Sequence, residues 1–279
     1  MNKIFQIILF TVLFSCNNID HKNEPETSEN IGDALVVKTN NLNEVFKVDS
    51  EALTKDFMTW YTYTYNKIHL SQDFIALDVD SLKIDKLAFL KKLESGRVIP
   101  FKIKMVEGQP VYKLYDLVSK DESIKATMKQ MASTEIAYLK MEGTEMPAYN
   151  FTDINENVYT KSSTKGKLVV LKCWFIHCAA CVKEFPELNK LVDDNKNVQD
   201  LIFISLAMDA KSELQKFLKT KEFKYAVVPE MKNFMVDKLG VTEFPTHVLI
   251  NGDGKIIKVV NRIDDLIPFL NIEKTKIGS

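Results

Sequence analysis

The 279-residue chain has few cysteines, almost no net charge and no apolar run long enough to cross a membrane as a helix. Four cysteines are too few for a disulfide scaffold, and three of them, Cys173, Cys178 and Cys181, lie close together, which points to a site instead. With 37 Lys and Arg against 38 Asp and Glu, the formal net charge is −1, and no basic excess suggests nucleic acid. The apolar stretch at residues 4–14 is too short to span a bilayer. What remains is a chain, 46% hydrophobic, that can bury one sizeable core or two smaller ones.

The stretch that organises the chain is 168–191, LVVLKCWFIHCAACVKEFPELNKL. Residues 168–171 form a continuous apolar run that reads as a buried strand. It leads through Trp174 and Phe175 into Cys178-Ala179-Ala180-Cys181, after which charged and apolar residues alternate at helical spacing. The cysteines therefore stand where a strand ends and a helix begins. The first cysteine of such a pair faces unsatisfied backbone N–H groups and the positive end of the helix dipole, which favour thiolate over thiol. Cys178 is the expected nucleophile. Cys181, one turn on, can reach its sulfur and resolve a mixed disulfide, so the pair forms a reversible dithiol/disulfide couple.

Here the sequence resembles the thioredoxin-like thiol-disulfide oxidoreductases of the TlpA/ResA type. The resemblance covers roughly residues 146–270 and rests on MPAYNFTDINENVYTKSSTKGKLVVLKCWFIHCAACVKEFPELNKL and on VTEFPTHVLINGDGKI. It implies an α/β, thioredoxin-like fold for this half. It also implies a cis proline at Pro245, where Phe244-Pro245-Thr246 would face the cysteines and dock an extended polypeptide. Glu184 matches a glutamate that tunes the thiols in ResA-like members; it lies one turn beyond Cys181 and is expected to accept the proton of that thiol. Pro186 matches a helix kink. Two positions depart from the pattern. Lys172 stands where thioredoxins carry an acidic residue and many TlpA-like proteins an asparagine, so it either snorkels to the surface or lies under the site as a cation. Ala179-Ala180 replaces the frequent Gly-Pro or Pro-Pro. His177 has two readings, an imidazolium that supports the Cys178 thiolate or, preferred, a partly exposed ring that shields the site.

Other chemistries fit less well. Cys173, Cys178 and Cys181 spell C-x4-C-x2-C, a spacing used by [2Fe–2S] clusters, but such a cluster needs a fourth cysteine and only Cys16 remains. A zinc site with His177 would require convergence that a strand running into a helix does not provide. Cys173 reads as a small buried hydrophobe. A thiol peroxidase of the peroxiredoxin type would want Thr or Ser three residues before its cysteine, where Phe175 stands.

Before this half, residues 1–18 read as a signal peptide, in which Cys16 follows a small residue and an apolar run and resembles the lipidated cysteine of bacterial lipoproteins. Residues 19–47 are polar and aperiodic, a tether. Residues 48–142 read as a small α+β domain. Helical spacing runs from Leu53 to Ile68, although the TWYTYTY run within it also alternates as a strand. Strands are expected near 75–79, 101–105 and 111–117, with a turn at Gly108, Gln109 and Pro110, and helices near 85–93 and 121–141. Met128 and Met131 read as core filler rather than copper ligands. Residues 143–279 are the thioredoxin-like domain: a hairpin turning at 153–156, strands at 201–207, 225–228, 247–249 and 256–260, and helices at 211–218, 231–239 and 264–270.

The expectation is an exported thiol-disulfide oxidoreductase, facing the periplasm and anchored to the cell envelope by lipid. It would reduce protein disulfides, regain its electrons from a membrane donor and need no cofactor or metal. The alternatives are the peroxidase and a non-enzymatic envelope lipoprotein that binds a partner or copper.

Overall fold

A computed structural model describes residues 49–277, which fall within one compact unit, Glu44–Ser279. The expected signal segment 1–18 with Cys16 and the expected tether 19–47 lie outside the described residues.

The first half opens with α1 (Ser50–Leu53) and α2 (Phe57–Lys67). The ambiguous aromatic run is helical. Asp56 caps α2 by accepting the Thr59 N–H at 2.8 Å, which commits the following residues to a 3.6-residue period. Trp60 and Thr64 then point inward, while Tyr61 and Tyr65 stack outward with ring centroids 6.1 Å apart. A four-stranded sheet follows, in the order β2 (Lys83–Ile84), β1 (Ile75–Leu77), β4 (Gln109–Asp116), β3 (Val98–Val106). β1 runs parallel to β4 and the other pairs are antiparallel. The β3–β4 turn falls one residue earlier than expected, on Glu107 and Gly108. Both have positive φ, which suits the right-handed twist of a tight hairpin, and Gln109 and Pro110 already belong to β4. α3 (Lys86–Glu94) and α4 (Glu122–Met141) cover the sheet and are capped by Asp85 and Asp121. Their core joins Trp60, Phe89, Leu93, Tyr112 and Met128.

The second half begins with a hairpin, β5 (Asn150–Thr152) and β6 (Val158–Thr160). A five-stranded sheet follows in the order β11 (Ile256–Val260), β10 (Thr246–Ile250), β7 (Leu168–Trp174), β8 (Leu201–Ala207), β9 (Ala226–Val228). β7, β8 and β9 are parallel; β10 is antiparallel to β7 and to β11. β7 is central and buried along its whole length, as a strand covered on both faces must be. Leu168, Val170 and Trp174 point to the face packed by α6 (Phe185–Asp194), α7 (Lys211–Leu218) and α8 (Ile263–Ile277). Val169, Leu171 and Cys173 point to the other face, beneath Phe151, Met235 and the end of α4.

Two elements differ from expectation. Residues 231–239 do not form an ordinary helix but a single π-helical turn, Phe234–Lys238, short enough to set Phe234 and Met235 into the core before Gly240 at φ 76° redirects the chain. α8 is longer than 264–270 and carries Pro268 inside it. Among the described residues no helix is long and apolar enough to cross a membrane. The strand order, with parallel crossovers and an antiparallel β10–β11 edge, is that of a thioredoxin-like α/β domain, preceded by a smaller α+β half.

Candidate functional site

β7 ends at Trp174, and the chain turns through Phe175, Ile176 and His177 into α5 (Ala179–Lys183). Asp209, just beyond β8, holds this turn by accepting the Ile176 N–H at 2.8 Å. Cys178 is the N-cap of α5, and its Sγ accepts the Cys181 N–H at 3.1 Å. Cys178 and Cys181 are joined in a disulfide, with Cα atoms 5.2 Å apart. Cys178 is 7% exposed and Cys181 is fully buried, so an incoming group meets Cys178 first. His177 is exposed beside it. Cys173 stands apart on the other face of β7, and burial pushes its thiol up to about 12, which keeps it protonated and inert. Among the described residues no cluster of His, Cys, Asp or Glu is arranged to hold a metal ion.

The Phe244–Pro245 peptide is cis, and Phe244 meets Phe175 edge to face at 5.7 Å. Thr246 turns its hydroxyl inward, bonding to the Glu243 carbonyl at 2.6 Å and to the Tyr138 hydroxyl at 2.9 Å. Asn261 Nδ2 donates to the Pro245 carbonyl at 2.7 Å and to the Tyr138 hydroxyl at 2.9 Å. The cis-proline loop is thus tied to α4 of the first half. Tyr138 lies off the apolar stripe of α4, and nothing local in the sequence marks it; neither it nor Asn261 was expected at the site.

On the sheet face that also packs the cysteines lies a buried ionic cluster. Residues 168, 170, 172 and 174 alternate onto the α6 face, so Lys172 is an ammonium in an otherwise apolar stripe. Its side chain is fully buried and paired with Glu184, so it does not snorkel to the surface. Glu184, at the break between α5 and α6 and followed by Pro186 in the first turn of α6, accepts from Lys172 Nζ at 2.5 Å. His247 stands directly opposite Lys172 across the β7–β10 register, and its Nε2 lies 3.1 Å from the same Glu184 oxygen. The other Glu184 oxygen receives the Ile263 N–H at 3.4 Å.

Burial pushes the Glu184 carboxyl up, but the His247 hydrogen bond, the His247 charge and the Lys172 ammonium outweigh it and hold it down at about 2. Burial lowers Lys172 and His247 below their usual ranges. This bears on the role expected of Glu184: a carboxylate held that low is a poor base for a thiol proton.

A cleft of about 930 Å³ runs past the site. Ala180, Lys183, Glu184 and Pro245 line one side, and Tyr61, Tyr65, Gln130 and Met131 of α2 and α4 line the other.

The AhpC/TSA family model matches residues 143–259. The thiol-disulfide oxidoreductase ResA of Bacillus subtilis strain 168 is 30% identical over 120 residues, covering 43% of this chain and 66% of that protein. ResA of Bacillus thuringiensis subsp. konkukian is 31% identical over 122 residues, covering 43% of this chain and 70% of that protein. Among solved structures, the thioredoxin domain of a thiol-disulfide oxidoreductase from Bacteroides vulgatus is similar at 24% identity and a TM-score of 0.43, over 47% of this chain and 96% of that one. A thiol:disulfide interchange protein from Bacteroides sp. gives 24% and 0.42, over 47% and 88%. The family model falls on the half that carries the paired cysteines, and the chain belongs to the family of ResA-type thiol-disulfide oxidoreductases.

Proposed function

We propose that this oxidoreductase reduces disulfides in other proteins outside the cytoplasm, through Cys178 and Cys181. The observation that carries the reading is the Cys178–Cys181 disulfide at the head of a helix, with Ala180 lining one cleft with the cis Pro245. In the reduced protein, the Cys178 thiolate attacks one sulfur of a client disulfide. A mixed disulfide forms, and the client's second sulfur leaves as a thiolate and takes a proton. Cys181 then loses its proton and attacks Cys178 Sγ, freeing the client's first sulfur. Two electrons pass from the pair to the client, and the product is the disulfide seen here.

Phe244, Pro245 and Thr246 present backbone to an extended client segment. A membrane electron donor restores the dithiol, and a lipid on Cys16 holds the protein to the cell envelope, with residues 1–18 as the signal, 19–47 as the tether, and 48–142 and 143–279 as the two folded domains. A peroxidase reading is disfavoured by the aromatic ring at Phe175, three residues before Cys178, where a hydroxyl would be required.

The test is a redox titration of the full chain against glutathione and dithiothreitol, read by mass mapping of alkylated Cys178 and Cys181. A potential near or below about −270 mV supports a reductase, and one near about −120 mV points to an oxidant. Failure to form a reversible disulfide removes the reading altogether. In parallel, Cys181→Ser should accumulate a mixed disulfide with client protein through Cys178, and Cys178→Ser should not.

A further inference from the structure

A client cysteine that meets Cys178 brings its neighbouring residues into the cleft, because Ala180, between the two cysteines in the chain, and the cis Pro245 form one wall of it. The opposite wall comes from α2 and α4 of the first half. On α2, Phe57, Tyr61 and Tyr65 recur every four residues and so share one face of the helix. Tyr61 stacks on Phe57 at 5.6 Å and on Tyr65 at 6.1 Å between ring centroids. The helix is held to its core by Trp60 and Thr64 on the other side, so the outer rings are not needed to fix it. Of the eight large apolar side chains exposed among the described residues, three, Met58, Tyr61 and Tyr65, stand on this one helix. Apolar surface gathered in one place and left open to water marks an interaction surface. The end of the stripe shows one kind of group that packs on it: the Arg262 guanidinium lies 4.5 Å from the centre of the Tyr65 ring.

The charges along the cleft point to the same kind of ligand. Glu184 and Asp265 are compensated within the protein, by Lys172 and by His69, and Glu135 lies in the field of Lys86 and Lys258. Asp264 stands 3.6 Å from Arg262. Glu187 on α6 and Glu243 ahead of the cis proline also line the cleft and form no ion pair among the described residues. The Glu243 carboxylate receives only an amide, from Gln130 at 3.0 Å. Burial, and then the hydrogen bond and charge of Asp264, push Glu187 up to about 7, the response of a crowded carboxylate. Among the described residues, Lys183 is the one lining cation left to offset this pair. The cleft therefore joins an exposed aromatic stripe to an excess of negative charge, and a basic side chain suits both.

We propose that the first half is a client-recognition wall, and that the cleft takes an extended client segment carrying Lys or Arg beside its target cysteine. This rests on the reading that Cys178 attacks protein disulfides. The cis-proline loop meets the client's backbone, which is common to all clients. Choice among clients falls to Tyr61 and Tyr65, which pack against the stem of a basic side chain, and to Glu187 and Glu243, which attract its charge and repel an acidic one.

The experiment uses the full chain carrying Cys181→Ser, which stops at the mixed disulfide. A pair of synthetic peptides shares a central cysteine activated as its thiopyridyl disulfide and differs only in the flanking residues, lysine in one and glutamate in the other. The Cys178 thiolate attacks the peptide sulfur, the Cys178–peptide disulfide forms, and the pyridine thiolate leaves and takes a proton as thiopyridone, whose absorbance gives the rate. Each rate is divided by that of the same protein with dithiodipyridine, which has no chain to dock, so a general change in Cys178 reactivity cancels. On this ratio the lysine peptide should lead by about tenfold at low salt. The lead should shrink in about 1 M salt, where charges are screened beyond roughly 3 Å. Adding Glu187→Gln and Glu243→Gln should remove most of the lead, and adding Tyr61→Ala and Tyr65→Ala should slow the lysine peptide by about fivefold. Should the alanine variant not fold, the salt and glutamine arms decide. Equal ratios for the two peptides would overturn the proposal, as would a lead that survives the glutamine changes. A dimer that the alanine changes dissociate would overturn it too, since a second copy would then occupy the wall. Failure to react with dithiodipyridine or with either peptide would remove the redox reading itself, a distinct outcome.

Discussion

Lys172 and Glu184 form an ion pair that nothing exposes to solvent on the lysine side. Breaking such a pair from one end leaves a buried charge, so Lys172→Met should cost on the order of 3–5 kcal/mol in urea unfolding, and a paired Lys172→Met, Glu184→Gln change should recover most of it. The same cluster fixes the acid response. The Glu184 carboxyl is held at about 2 against an ordinary 4.5. Its depressed folded value contributes stability that is present above 4.5 and is lost as pH falls from 4.5 towards 2, about 3 kcal/mol in all. His247, also depressed, adds a loss of the same sign below the ordinary histidine range. Unfolding free energy measured from pH 7 downwards should therefore fall more steeply in the wild type than in Glu184→Gln. At Cys173 the opposite holds: burial keeps the thiol protonated, and iodoacetamide applied to the reduced native protein should label Cys178 and leave Cys173 untouched.

Among the elements, α4 has the least expected role. Its apolar stripe builds the core of the first half, yet Tyr138 reaches from its last turn into the second half and bonds to Thr246 beside the cis proline. Asn261, at the start of the turn into α8, closes the same network on the Pro245 carbonyl. Tyr138→Phe keeps the ring in the core and removes only the hydroxyl. It should lower kcat/KM for a protein disulfide several-fold while leaving the potential of the cysteine pair unchanged, because the loop is loosened and the sulfurs are not. A change in potential would show that α4 acts on the cysteines themselves.

For the whole molecule, each half has its own apolar cluster, the second of which takes in Tyr138 and Met141 from the end of α4, and the halves also meet through polar contacts. Asp265 of α8 accepts from Ser71 and pairs with His69 at 2.9 Å, and Lys258 pairs with Glu142 at 2.9 Å. Arg262 donates to the Tyr65 carbonyl at 2.8 Å. The chain's two tryptophans report on the halves separately, Trp60 from the first core and Trp174 from the second. In Trp60→Phe and Trp174→Phe variants the remaining fluorophore should lose its signal at the same urea concentration, as expected of one cooperative unit. Two separated midpoints would mean that the halves unfold independently.

Much of this was legible in the sequence because it is local. The apolar run 168–171 reads as a buried strand, and Cys178, one residue before a helical period, stands at the head of the helix. Asp85 and Asp121 open their helices by the same capping physics. Strand alternation even assigns Lys172 to the face of the active-site helix. Other features depend on residues far apart in the chain. That Lys172 meets a carboxylate and an imidazole follows from the β7–β10 register, which brings position 247 beside position 172. That residues 59–65 are a helix was decided by the Asp56 cap together with the burial of Trp60 and Thr64, since their pattern served either period. Tyr138 carries no local mark at all, because a side chain's role at a site made by another part of the chain is set by packing. Most elements and the reactive pair were thus readable along the chain, the π-helical turn and the extent of α8 apart; which charges are buried on the sheet face and which half of the molecule holds the cis-proline loop depend on contacts between residues whose spacing along the chain carries no signal.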